Sequence, residues 1–160
     1  MSFNHFDDRG QAIMVDVSAK QPTMRSATAS ATVHVGQETL SAILEGRTTK
    51  GDVLGVARLA GIAAAKKTPD LIPLSHPLAI HFVSIDFTCD QAASTIRVEA
   101  TVKAFERTGV EMEAMTSASV AALTIYDMCK GRDKGIRIGD IVLLFKEGGK
   151  SGMYRREETP

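Results

Sequence analysis

Thr108-Gly109-Val110-Glu111-Met112-Glu113-Ala114-Met115-Thr116-Ser117-Ala118-Ser119-Val120-Ala121-Ala122-Leu123-Thr124-Ile125-Tyr126-Asp127-Met128-Cys129-Lys130 reads as one long helix. It is acidic at its start and carries an Asp/Lys pair near its end. Its body is built from small residues, Ala114, Ser117, Ala118, Ser119, Ala121 and Ala122. Small side chains let another backbone come close, so deep packing is expected. Ala114, Ala118 and Ala122 would permit a neighbouring subunit's helix to approach. Deep packing makes Asp127 and Lys130 costly unless they face each other, a cleft or a ligand. Three residues apart, they share a helical face. A surface ion pair is the commoner outcome at this spacing. Here Ile125, Tyr126 and Met128 leave little polar surface around the pair, which is therefore read as a site with a buried carboxylate.

Working outward from this helix, residues 27–35 alternate small, β-branched and polar side chains and predict a first strand. A short helix is expected over 38–45, stopped by Gly46, and a longer one over 52–67, ended by Pro69. Residues 80–88 and 95–105 read as paired strands, and 136–145 as the last strand. Residues 1–25 are polar, broken by Pro22, and are expected to form a loosely ordered N-terminal arm. The order β, helices, β, β, α, β predicts an α+β, ferredoxin-like split β-α-β-β-α-β, with helices on one face of an antiparallel sheet. The other sheet face would stay bare. Apolar residues on both faces of the strands suggest that a partner subunit covers it.

With 160 residues, 44% hydrophobic and 24% charged, the chain reads as a single domain over 1–160 with ample core. Its 19 basic and 19 acidic residues sum to a net charge of +0, which argues against a general nucleic-acid binder while leaving room for a local basic pocket. No apolar run reaches the ~18 residues of a membrane span. The N-terminal residues show no secretory pattern, and Cys89 and Cys129, with no CxxC, read as reduced thiols of a cytoplasmic protein.

Three loops invite chemical readings. Pro73-Leu74-Ser75-His76-Pro77 holds a histidine between prolines, which restrain the backbone on either side; the local sequence fits a backbone-bonded loop histidine equally well. His76 and His81 lack metal-ligand spacing. Gly46 to Asp52 is a basic turn ahead of a helix, with Lys50 close to free helical amides, although a solvated loop with an Asp52 cap fits the local sequence better. Lys146-Glu147-Gly148-Gly149-Lys150-Ser151-Gly152 imitates the end of a P-loop, but Leu144 stands where the pattern needs glycine and too little chain follows to form the helix. Its amides and lysines remain suited to phosphate. Glu113 and Asp127 lie roughly 20 Å apart along one helix. Either one of them is structural, or a site containing both lies between subunits.

Taken in order, these segments resemble the cyclic pyranopterin monophosphate synthases of molybdenum cofactor biosynthesis, the MoaC family. The likeness starts at Met14-Val15-Asp16-Val17-Ser18-Ala19-Lys20 and continues through Lys50-Gly51-Asp52, Ala60-Gly61-Ile62, residues 70–78 and residues 108–130. It ends at Gly148-Gly149-Lys150-Ser151-Gly152. The resemblance implies a ferredoxin-like fold assembled as a homohexamer of three dimers, with sites between subunits. It implies conversion of (8S)-3',8-cyclo-7,8-dihydroguanosine 5'-triphosphate to cyclic pyranopterin monophosphate, with release of diphosphate. It places catalytic roles on Asp127, Lys130 and Lys50. It places substrate binding on the loop residues Leu74, Ser75 and His76, on Glu111, Met112 and Glu113, and on Arg25 and Lys146. Ser75 departs from the cysteine usual in the family, and 131–136 is less family-like.

The residue types suit that chemistry. Asp127 with Lys130 offers an acid/base pair, and Arg25, Lys50, Lys146 and Lys150 offer charge for phosphates. Nothing demands a redox cofactor or tightly bound metal; Mg2+ could accompany diphosphate without being required by the sequence. The rival reading is a non-catalytic, nucleotide-sensing ferredoxin-like module, which needs phosphate-binding residues but no Asp/Lys pair. An RNA-binding ferredoxin-like domain ranks last, for want of aromatics on its central strands.

Overall fold

The computed structural model describes residues 5–157. It contains β1 (Thr23–His34), α1 (Gln37–Leu44), α2 (Val53–Ala65), α3 (Thr68–Leu71), β2 (Ile80–Asp90), β3 (Thr95–Glu106), α4 (Glu111–Cys129), β4 (Arg137–Glu147) and β5 (Tyr154–Arg155). The strands form one sheet in the order β2-β3-β1-β4-β5, with every neighbouring pair antiparallel. The first four strands have the ferredoxin-like arrangement expected from the sequence. The long helix α4 crosses from β3 to β4.

Alternation along the strands decides which face is buried. Ala27, Ala29, Ala31 and Val33 of β1, and Ile96, Val98, Ala100, Val102 and Ala104 of β3, are fully buried, as are Ala114, Ala118, Ala121, Ala122 and Ile125 of α4. The small residues of α4 bring another backbone close, as expected, but that backbone is the chain's own α2. Ser117 Oγ donates to Gly61 O at 2.7 Å, and a Cβ on Gly61 would stand 3.1 Å from Ser117 O. Ala114, Ala118 and Ala122 are therefore not available to a neighbouring helix. The side of α4 left open carries Met112, Leu123 and Asp127.

The far face of the sheet is mixed in character. Across its middle it bears Thr28, Ser30, Thr32, Arg97, Glu99, Thr101, Ser84 and Asp86, with Thr28 and Thr101 hydroxyls 2.8 Å apart and Arg97 bonded to Glu99. Met24, Phe82 and Phe105 are exposed at one end, and Phe145 and Val142 of β4, paired with Thr28 and Ser30, add apolar side chains along one side.

Element ends moved for identifiable reasons. β1 begins at Thr23, which pairs with Glu106, so residues 23–25 of the expected arm are strand. Upstream, Phe6 bridges Ala12, and residues 1–4 lie outside the described residues. α2 starts after Asp52, whose Oδ1 accepts from Gly55 N at 2.8 Å. It ends at Ala65, because Thr68 Oγ1 donates to the carbonyls of Ala64 and Ala65 and Pro69 opens the short α3. The edge strand β5 was not foreseen. Among the described residues no helix is long and apolar enough to cross a membrane.

Candidate active site

The expected site residues fall into two groups at opposite ends of α4. At its start, Lys146 on β4 donates to Glu111 Oε1 at 2.8 Å and reaches Ser151 Oγ at 3.5 Å. Arg25 on β1 donates through Nε to Glu106 O and through Nη2 to Arg107 O, each at 3.2 Å. Around them opens a cavity of about 910 Å³, whose lining includes Lys20, Arg25, Arg107, Lys146 and Lys150, with Glu111 and Glu147 as its acids. Five cations facing one cavity in a chain of zero net charge make a local positive field. Gly148 and Gly149 curl over the cavity with φ of 103° and 70°, a conformation that favours glycine.

The proline-bracketed loop joins this end of the molecule. Ala79 N donates to Glu106 Oε1 at 3.2 Å, and Ser75 N to Ile72 O at 3.0 Å. His76 Nε2 lies 2.8 Å from Val15 O. A carbonyl only accepts, so Nε2 carries the proton in that bond. His76 is thus bonded to backbone, and it ties the N-terminal segment down at this end of the sheet.

Glu113 is the buried acid of this group, at 1% exposure. Burial, helped by the charge of Glu111 and opposed by a backbone hydrogen bond, pushes its carboxyl up to about 7. Its Oε1 has no hydrogen-bond partner. Met112 beside it is exposed.

At the other end of α4, Asp127 Oδ1 and Lys130 Nζ are 2.6 Å apart, and Lys50 Nζ donates to Asp127 O at 2.9 Å. The pair is not buried: the Asp127 side chain is 61% exposed and that of Lys130 52%. The expected buried carboxylate is therefore corrected. α4 turns this face outward, and the apolar Ile125 points into the core instead. The hydrogen bond from Lys130, then its charge, then that of Lys50, hold Asp127 below its ordinary value. Asp127 in turn raises Lys130. Beside them a cavity of about 360 Å³ is lined by Thr48, Thr49, Lys50, Cys129 and Arg132, among others.

One chain brings Arg25, Glu111 and Lys146 together, and brings Lys50, Asp127 and Lys130 together. It does not unite the two groups, since the sixteen helical steps from Glu111 to Asp127 span roughly 24 Å. Lys20, Arg107 and Ser151 line the larger cavity without having been singled out as site residues. Lys20 lay in an arm read as loose. Arg107 could have been suspected from its place just ahead of the Thr108-Gly109 entry to an acidic helix start. Among the described residues, no three His, Cys, Asp or Glu side chains gather as a metal site.

The model of the MoaC family matches residues 14–149. The chain belongs to the MoaC family. Proteins named cyclic pyranopterin monophosphate synthase from Geobacter sulfurreducens and Geobacter metallireducens are each 77% identical to it over 158 residues, covering 99% of this chain and 99% of their own. One of the same name from Heliobacterium modesticaldum is 56% identical over 154 residues, covering 96% and 97%. The family match spans both groups of candidate residues, from Arg25 to Lys146, and stops just short of Lys150 and Ser151.

Proposed function

We propose that this chain is a cyclic pyranopterin monophosphate synthase of molybdenum cofactor biosynthesis. It converts (8S)-3',8-cyclo-7,8-dihydroguanosine 5'-triphosphate to cyclic pyranopterin monophosphate and releases diphosphate. The observation that carries this reading is the cation-lined cavity of about 910 Å³ at the start of α4 in a chain of the MoaC family. A triphosphate needs such a concentration of positive charge.

In this reading Lys146, Lys150, Lys20 and Arg107 take the phosphates. The loop Leu74-Ser75-His76 and Met112 shape the place of the guanine-derived ring. Glu113 meets that ring's hydrogen-bonding edge: a buried carboxyl with one unsatisfied oxygen is a group held for a donor. Asp127 and Lys130 form the acid/base pair, carboxylate and ammonium at neutral pH, with Lys50 holding the end of α4 beside them. Because α4 keeps the two groups apart, the complete site forms between two copies of the chain, within a homohexamer of three dimers, in the cytoplasm. Proton transfer, ring rearrangement and phosphate cyclisation call for no redox cofactor; Mg2+ can escort the departing diphosphate.

The test is incubation with the cyclic triphosphate and measurement of diphosphate. Stoichiometric release supports the synthase. Tight binding of the triphosphate without release would leave the nucleotide-sensing module instead.

A further inference from the structure

Lys146 of the larger cavity donates to side chains, Glu111 and Ser151; Arg25 donates to the main chain. Nε and Nη2 of its guanidinium already donate to Glu106 O and Arg107 O, 81 and 82 residues away in sequence. These carbonyls end β3 and lead into α4. Across the cavity mouth, the turn after β4 lies against the same side chain. A Cβ built on Gly149 would overlap Nη1, and one built on Gly148 would overlap Met24 O and come 3.1 Å from Arg25 Cδ. Both glycines have positive φ. Arg25 therefore occupies the space between two loops: one carries Arg107, the other Lys150, just after Lys146 at the end of β4.

We propose that Arg25 is a positioning residue, which sets the spacing of the two cation-bearing loops. This rests on the reading of the cavity as a triphosphate site. The planar fork of arginine can bridge two successive carbonyls, whereas the ammonium of lysine is a single point and cannot span them. The clamp extends one step further, because the Glu106 side chain holds Ala79 N and with it the His76 loop. Glycine at 149 is the matching half of the device, leaving room for the guanidinium.

The experiment is a double-mutant cycle on the full-length protein with Arg25→Lys, Gly149→Ala and both together. It reads binding of inorganic tripolyphosphate by calorimetry, KM and kcat for diphosphate release, and the thermal unfolding midpoint. Arg25→Lys keeps the charge, so it isolates the geometry. Expected is a rise of about tenfold in Kd and KM, the cost of losing a charge-assisted bridge, with kcat and the midpoint little changed. Gly149→Ala weakens binding in the same direction. The double variant binds no worse than the weaker single variant, since both disturb one contact; backbone strain at 149 is common to both backgrounds and cancels. Wild-type affinity in Arg25→Lys, additive effects, or a loss of binding that tracks a loss of folded protein would each overturn the proposal. If Gly149→Ala does not fold, Arg25→Lys decides alone. A wild type that binds tripolyphosphate but releases no diphosphate removes the synthase reading while the binding cycle still decides the role of Arg25. A wild type that does not bind tripolyphosphate overturns the inference itself.

Discussion

Glu113 and Asp127 are both acids on one helix, and their surroundings set them to opposite states. Glu113 is buried with its carboxyl pushed up to about 7 from 4.5. Below pH 4.5 folded and unfolded chains both hold the proton. As pH rises through the window from 4.5 to about 7, the unfolded chain releases it first, so stability falls across that window and levels off above it. Replacing Glu113 by Gln should remove the loss, leaving the variant more stable than the wild type near pH 8 by up to ~3 kcal/mol, with the two converging towards pH 4.5. Urea midpoints at several pH values measure this, and parallel pH curves for the two proteins would show that Glu113 ionises normally. Asp127 is exposed and held low by Lys130. Asp127→Asn should cost about a hundredfold or more in kcat as an acid/base group, with the thermal midpoint little moved because the side chain is exposed and its ion pair with Lys130 is screened by solvent. Near wild-type diphosphate release would make the Asp127–Lys130 pair a plain surface ion pair.

At the scale of elements, the contact that sets the helix layer is α2 against α4. It depends on Gly61 having no side chain: a Cβ there would meet Ile85 Cδ1 at 3.0 Å, Ser117 O at 3.1 Å and Ala121 Cβ at 3.2 Å. Gly61→Ala gains helix propensity but overpacks this crossing, and the net effect should be a loss of about 1–3 kcal/mol in urea unfolding. An unchanged midpoint would mean that α2 can slide outward without cost. The helix periodicity around Gly61 is plain in the sequence, whereas the close crossing depends on which face of α4 turns inward. The same orientation left Asp127 outside, although the residues flanking it are apolar.

At the scale of the molecule, α4 acts as a spacer. It holds the Glu111–Lys146 end roughly 24 Å from Asp127, so a substrate touching both needs a second copy of the chain. Mixing inactive Asp127→Asn and Glu113→Gln proteins under conditions of subunit exchange should restore part of the activity, at interfaces where one site retains both groups. Exchange verified by mass spectrometry without recovered diphosphate release would confine each site to a single chain. On α4 itself, the side open to a second copy is the one with Met112 and Leu123, because Ala114, Ala118 and Ala122 are spent inside the chain.

Much of the architecture was legible along the chain. Strand alternation in 95–105, the small-residue body of 108–130 and the turn residues between them depend on neighbours one to four positions away, which local sequence records directly. The ordered motifs likewise pointed to the MoaC family before any geometry was known. The tertiary structure alone decided what depends on residues far apart: the extension of β1 to Thr23 by pairing with Glu106, the burial of Glu113 and exposure of Asp127, and the capture of Arg25 by carbonyls more than eighty residues away. Burial, pKa and hydrogen-bond partners are properties of the packed neighbourhood. A side chain's type and spacing do not carry them until the helix has chosen the face it turns to the sheet.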